Sequence, residues 1–309
     1  MREPIVSIIT RVYNEKDDYL RQAIDSVLSQ KTDFPIELLL AWDNGADSAK
    51  RICEEYAKAY PEKIVLLIRK KSLGGPPNFF NAITHAKGKY IACLDADDYW
   101  TDESQLQKEV DFLEANSEYS IVYSDSMMVD ENENVVSETE VGEERRRDFS
   151  SRELMEGKHI SNRTMLLRNI IDYSKINTQF EGNEDSFACA LIGQYGEGHY
   201  MYNIVPPVYR IRGGSIWTTV DDAERTRIFM GTLMALRHYF KTMKNAEMIQ
   251  FYNYKYFQTN DKYMFLACQS HDKRAAWRSF CVSAKGICRK RYFSSLIISF
   301  KSLIKCLIK

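Results

Sequence analysis

The stretch Lys89-Tyr90-Ile91-Ala92-Cys93-Leu94-Asp95-Ala96-Asp97-Asp98-Tyr99-Trp100 runs apolar from Ile91 to Leu94 and then stops at three carboxylates within four residues. An apolar run this short, bounded by Gly88 and the acids, predicts a strand covered on both faces in a parallel sheet. Ligands of open α/β sheets bind outside the carboxyl ends of the strands, where Asp95, Asp97 and Asp98 would emerge. Three close carboxylates raise one another's pKa unless a cation holds them ionised, so the cluster suits a hard divalent ion such as Mg²⁺ or Mn²⁺. The competing reading is an acidic turn that caps the next helix.

Working outward, the same grammar repeats upstream. Ile5 to Thr10 is a β-branched run and a first strand, followed by Tyr19, Ala23, Ile24, Val27 and Leu28 at helical spacing. Ile36 to Ala41 is a second strand, with a helix that Pro61 closes, and Lys63 to Arg69 a third, leading through Gly74-Gly75-Pro76-Pro77 into another helix. Strand-helix alternation of this kind predicts a right-handed, doubly wound α/β domain with a mostly parallel sheet flanked by helices. No G-x-G-x-x-G follows the first strand and no G-x-x-x-x-G-K-[ST] occurs, which disfavours a dinucleotide-binding or P-loop site.

Downstream, Leu106, Val110 and Leu113 mark a helix, and Tyr119 to Tyr123 and Arg163 to Arg168 mark further strands. Ser126 to about Ser151 turns polar and reads as a solvated, partly mobile insertion, with a lid over the site as the alternative. Glu181-Gly182-Asn183-Glu184-Asp185-Ser186 leads into an apolar helix, and Val205 to Trp217 reads as a short edge strand ending in a basic, glycine-bearing turn. Past Trp217 the pattern is helical, so residues 1–217 are expected to form the catalytic domain and 218–309 a helical C-terminal extension. That extension closes with Lys301, Lys305 and Lys309 on one helix face and apolar residues around the rest. The pattern fits an interfacial helix on anionic lipid, or else a helix docked on the protein's own core.

The 309 residues, 44% hydrophobic and 28% charged, are enough to bury a full core. A net charge of −1 gives no global attraction to nucleic acid. Seven scattered cysteines without metal-ligand spacing, no signal-peptide pattern, and no apolar stretch near the roughly 20 residues of a bilayer span lead to the expectation of a cytoplasmic protein.

In this order, VSIITRVYNE, ELLLAWDNGADS, NAITHAKGKYIACLDADDYWTDE, GNEDSFACAL and VYRIRGGSIW resemble the family 2 glycosyltransferases, inverting enzymes of the GT-A fold that use nucleotide sugars. The resemblance implies that Tyr13 stacks on the base of the donor, Asp43 bonds the base edge, Asp95 contacts the ribose side and Asp97 binds a Mn²⁺ or Mg²⁺ ion bridging the phosphates. It also implies Asp185 as the catalytic base, with Glu184 in reserve, and Arg212 as a phosphate contact. Asp98 is left to the turn before the next helix. Trp42 stands where the family has a first aspartate and reads as packing under the base site. Arg11 replaces a more usual proline or threonine, and the arginine often found in the helix after the third strand has no clear counterpart near Asn78 and Asn81.

The implied activity is transfer of a sugar from a UDP-sugar or related nucleotide sugar to a hydroxyl of a glycan or lipid-linked glycan, in surface polysaccharide synthesis at the inner face of the cell membrane. A sugar-phosphate nucleotidylyltransferase would need a glycine-rich basic loop after the first strand, and Arg11-Val12-Tyr13-Asn14 is not one. A non-catalytic scaffold of the same fold would be free to lose Asp95, Asp97 and Asp185, which are all present.

Overall fold

The computed structural model describes residues 3–213 and 219–287. The chain divides into two compact units, one formed by the chain up to Gln179 with Glu184–Arg212, the other by Phe180–Asn183 and the chain from Gly213.

The first unit is built on a seven-stranded sheet of order β3-β2-β1-β4-β8-β5-β9. Its strands are β1 (Val6–Val12), β2 (Ile36–Trp42), β3 (Ile64–Ile68), β4 (Tyr90–Cys93), β5 (Tyr119–Tyr123), β8 (Met165–Arg168) and β9 (Glu197–Tyr200). β1, β2 and β4 are mostly apolar and buried nearly throughout because both faces are covered. Leu20, Ala23, Ile24 and Val27 of α1 (Asp17–Leu28), Ile52 and Cys53 of α2 (Asp47–Ala59), and Leu106, Val110 and Leu113 of α4 (Gln105–Ala115) join Ile8, Leu38, Leu40 and Ala92 in one core. Each such aliphatic side chain contributes about 1.5–3 kcal/mol by leaving water. β1 pairs in parallel with both β2 and β4, whereas β8 runs antiparallel to β4 and β5. The sheet is thus mostly parallel with one reversed strand, which the periodicity of residues 163–168 could not reveal. The first two residues of that run are drawn off into a 3-10 turn, Asn162–Thr164.

The polar segment after β5 is exposed over much of its length, as expected, but it carries regular structure. It forms β6 (Met127–Val129), β7 (Val135–Ser137), a 3-10 turn (Glu143–Arg145) and α5 (Ser151–Met155), the last with a capping box of Ser150 and Glu153. Some of its charges turn inward. Glu140 meets Arg163 at 2.8 Å, and Arg146 meets Asp125 at 3.0 Å. The tip at Glu131 to Val136 is exposed, as are Gly142 to Glu144 and Arg147. β6 and β7 form a second sheet with β10 (Val208–Arg210), in the order β10-β6-β7. β10 is its edge strand, and an isolated bridge from Val208 to Tyr99 ties it to the loop after β4.

The second unit contains α7 (Asp222–Thr242), α8 (Ala246–Gln269) and α9 (Lys273–Ile287). Asp221 and Asn245 cap the first two by accepting the Glu224 and Met248 amides, at 2.8 and 3.1 Å. Phe240 stacks on Tyr252, and the buried Asn260 is satisfied by Ser279 and Ser283. Among the described residues no helix is long and apolar enough to cross a membrane. The basic amphipathic helix expected at 289–309, and Trp217, lie outside the described residues.

Candidate active site

From β1 the chain winds outward to β2 and β3, then returns to lay β4 on the other side of β1. The crevice at the carboxyl ends of β1 and β4 is therefore the topological switch point, where open α/β sheets bind ligands. Tyr13 leaves β1 there with its ring about half exposed. Its carbonyl accepts the Ala46 amide at 2.8 Å, and a Cβ on Gly45 would fall 1.8 Å from that oxygen, so only glycine allows the approach.

Asp43, just past β2, is buried. Its carboxylate accepts from Ser72 Oγ at 2.8 Å and from the amides of Leu73 and Gly74 at 2.8 and 2.9 Å. It thereby shapes the loop that enters α3 (Gly75–Ile83). Gly74, at φ 82°, needs its freedom from a Cβ there. Trp42 is packed inside, donating from Nε1 to the Ala46 carbonyl at 3.3 Å. Near α3, Asn78 is buried and donates to the Ala41 carbonyl at 3.0 Å while accepting from Arg69 at 3.3 Å, so a guanidinium does approach this helix, from the end of β3.

Each acid after β4 meets a different arginine. Asp95 is 2.6 Å from Arg11, whose guanidinium also reaches Glu184 at 2.5 Å. Burial opposes the charge on Arg11, but the two carboxylates outweigh it and raise its pKa above the ordinary value. Asp97 is 2.7 Å from Arg212, just beyond β10. Asp98 is almost wholly buried, 2.6 Å from Arg163, and also accepts the Arg210 amide at 2.9 Å. Burial works against the charge of Arg163 too, and Asp98 and Glu140 more than offset it. The Arg163 guanidinium lies 4.0 Å from the Tyr209 ring centroid. Arg210, itself buried, pairs with Glu133 at 2.5 Å and with Gln22 at 2.7 Å, and lies 3.9 Å from the Tyr19 ring centroid. Asp98 is thus an anchor that ties the β4 loop to β10 and to the turn before β8, a larger part than capping the next helix.

The acids opening α6 (Glu184–Ile192) are held differently. Burial raises the Glu184 carboxyl more than Arg11 can lower it, and the charge of Asp185 adds to the rise. Asp185 lies 3.0 Å from Nδ1 of His159, and its other oxygen accepts the Ser186 amide at 2.6 Å. Burial would push this carboxyl up, yet the His159 charge and hydrogen bond together with the Ser186 amide hold it below its usual range. The Asp185 charge in turn raises His159 against the effect of burial. The imidazole is 42% exposed, whereas the Arg163 side chain is 9% exposed.

Of the residues singled out from sequence, Asp95 and Glu184 are thus joined through Arg11, Asp97 and Arg212 form a pair, and Tyr13 and Asp43 occupy neighbouring loop positions. Sequence reasoning gave no role to Arg11, His159 or Arg163. Arg11, a charge within a strand, carried a signal; His159, in a short loop, carried none. Glu15 also belongs here. Burial raises its carboxyl and the charge of Asp97 adds to the rise, while the Tyr13 amide, at 2.7 Å, and Arg212 counter it. Among the described residues no group of three or more His, Cys, Asp or Glu side chains could hold a metal ion. Asp97 supplies the hard carboxylate oxygen that Mg²⁺ or Mn²⁺ prefers, and such ions commonly complete their shell with substrate phosphates and water, so a single protein ligand here fits.

Among solved structures, the fold is similar to TarS 1-349 of S. aureus in complex with UDP-GlcNAc, with a TM-score of 0.56 and 14% identity over 84% of this chain and 80% of that one. It is also similar to the mannosyltransferase PcManGT of Pyrobaculum calidifontis in complex with GDP-Man and Mn²⁺, with a TM-score of 0.53 and 16% identity over 100% of this chain and 87% of that one. The architecture is therefore GT-A. In sequence, an uncharacterized protein of Mycobacterium tuberculosis is 36% identical over 118 residues, 38% of this chain and 34% of the relative. An uncharacterized glycosyltransferase of Methanocaldococcus jannaschii is 32% identical over 139 residues, 45% of this chain and 47% of the relative. The minor teichoic acid biosynthesis protein GgaB of Bacillus subtilis is 37% identical over 119 residues, 38% of this chain and 13% of that protein. The chain thus spans less than half the length of these relatives. Glycosyl transferase family 2 matches residues 7–171, more than half of the chain and the whole frame from β1 past β8, and the chain belongs to that family of glycosyltransferases.

Proposed function

We propose that this chain is an inverting glycosyltransferase that moves a sugar from a UDP-sugar or related nucleotide sugar to a hydroxyl of a glycan or lipid-linked glycan. The observation that carries the reading is the pairing of Asp185. It is the acid among those of the β4 end and the α6 start whose partner is a half-exposed histidine, while arginines hold the others. A carboxylate tied to a guanidinium stays neutralised at every working pH. One tied to an imidazole recovers its basicity when the ring is neutral. An acceptor hydroxyl attacks only as its proton is taken, and a positioned carboxylate contributes about 10²–10⁴-fold to such a step. One base facing away from the leaving group gives a single displacement with inversion.

In this reading residues 1–217 are the catalytic domain. Tyr13 stacks on the base of the donor, and Asp43 builds the neighbouring wall and offers the base edge its remaining lone pairs. Asp95, steadied by Arg11, contacts the ribose side, and Arg212 grips the diphosphate through its planar fork of donors. Asp97 would hold Mn²⁺ or Mg²⁺, which when bound offsets charge on the leaving diphosphate. The role of the relative GgaB in minor teichoic acid biosynthesis supports an acceptor in surface polysaccharide synthesis. The basic, apolar sequence at 289–309, closing the C-terminal region 218–309, would bring the enzyme to a lipid-linked acceptor at the cytoplasmic face of the membrane.

The test is a turnover screen of the purified chain against UDP- and GDP-sugars with Mn²⁺ or Mg²⁺. Asp185→Asn is expected to keep donor binding by calorimetry and to lose transfer by about 10²–10⁴-fold. Undiminished transfer would remove Asp185 as the base.

A further inference from the structure

His159 stands in the loop that follows α5, after Gly157 at φ 77°, and it reaches across to α6. The Ile160 backbone beside it bonds the Cys189 thiol of the same helix, so loop and helix are joined at two successive residues. An ionised carboxylate can only accept, so the hydrogen in the 3.0 Å contact belongs to Nδ1, and the ring donates to Asp185 whether neutral or protonated. With the Ser186 amide on Oδ1 and the imidazole on Oδ2, the carboxylate is fixed through both oxygens. Each oxygen has a second lone-pair site with which to take a proton from a hydroxyl.

We propose that His159 is a positioning residue for Asp185: its ring orients the carboxylate in both charge states, and its neutral form alone leaves that carboxylate basic enough to serve transfer. The inference rests on the reading of Asp185 as the base. Two features set it apart from a purely structural contact. The ring is 42% exposed, and it borders a small cleft about the size of one water, to which Asp125, Glu140, Arg145 and Ser161 contribute polar groups. Its charge therefore follows the pH of the medium. The charged groups around the ring are Asp185 from α6, Glu140 from the loop after β7 and Arg145 from the 3-10 turn. Those around the carboxylate are His159, Arg11 from β1 and the adjacent Glu184. Arg11 stays charged through the working range, so the charge changes in this group fall to His159, which titrates near neutrality, and to Glu184, whose carboxyl burial raises.

The experiment is the pH dependence of kcat, at saturating donor, for the full chain and for His159→Asn and His159→Ala, with donor affinity measured alongside. The unaltered chain should lose activity as the pH falls through the histidine range, with its midpoint above the ordinary imidazole value of about 6.5. His159→Asn keeps an N–H donor but cannot titrate. Its activity should persist to below about pH 5, nearer the carboxylate range. His159→Ala should lower kcat on the alkaline plateau by about 10–100-fold, because the carboxylate is no longer oriented, with donor affinity unchanged. If the acid limb of His159→Asn coincides with that of the unaltered chain, the proposal is wrong. Should His159→Ala also lose donor binding, the asparagine profile decides alone. An inactive Asp185→Asn with an unmoved limb in His159→Asn removes this inference only; a fully active Asp185→Asn removes the base assignment as well.

Discussion

The acids that end β4 and those that begin α6 converge in one unit of the molecule, but they are compensated in different ways. Asp95, Asp97 and Asp98 each have an arginine, drawn from β1, from just beyond β10 and from the turn before β8. Glu184 shares the arginine of Asp95, and Asp185 has His159. An arginine partner is a permanent charge, suited to holding loops and polyanions in place. A histidine partner is conditional, and it leaves one acid available for proton transfer near neutrality. Two clusters of the same residue type thus come to differ in chemistry through their partners.

The sharpest way to break this contrast is to compare substitutions at Asp98 and Asp185. Asp98→Ala leaves the Arg163 guanidinium buried and half-paired, and breaking such a pair costs about 3–5 kcal/mol. Thermal melting should fall by about 10 °C. Asp185→Asn should melt close to the unaltered chain while losing transfer. If both substitutions destabilise alike, Asp185 is a structural acid and the contrast disappears. A smaller effect is expected at the exposed aromatic beside these clusters. Tyr13→Ala should weaken affinity for the donor's nucleoside diphosphate by about 0.5–1.5 kcal/mol, the range for an aromatic stacking contact. Unchanged affinity in a calorimetric titration would take the ring out of the site.

The smallest expected effect is on stability against pH. His159 has its folded pKa raised, so its contribution is full below about pH 6.5 and is lost as the pH rises through the folded value. Asp185 has its folded pKa lowered, so its contribution is present above about pH 3.9 and is lost as the pH falls through the folded value. The pair should therefore stabilise the fold between about pH 4 and 6.5, by under about 1 kcal/mol given the exposure of the ring. The melting difference between the unaltered chain and His159→Asn should peak in that window. A difference that is flat from pH 4 to 9 would mean that the pair carries no titrating charge.

The strand-helix frame was legible because its signals are local. Ile91 to Leu94 is apolar since both faces of β4 are covered, and Asp95 to Asp98 follow where the chain leaves the sheet. The same logic exposed Tyr13, Asp43 and the Glu184-Asp185 pair as residues at the ends or starts of elements. What escaped was non-local. Glu140 and Arg146 look like solvated charges in a polar stretch, and only folding turns them inward onto Arg163 and Asp125. The reversal of β8 depends on its neighbours, since short antiparallel and parallel strands buried on both faces share one apolar pattern.

Composition and period by themselves determined the α/β frame and the placing of the acids at strand and helix ends, while ordered motifs carried the resemblance that family membership bears out. Only the tertiary structure decided which cation each acid meets. Arg11 and Glu184 are far apart in the chain yet 2.5 Å apart in space, and His159 meets Asp185 across a loop and a helix. Hydrophobic periodicity is written along the chain because burial is a property of one face of one element. Charge pairing is a property of two elements at once and exists only after they pack.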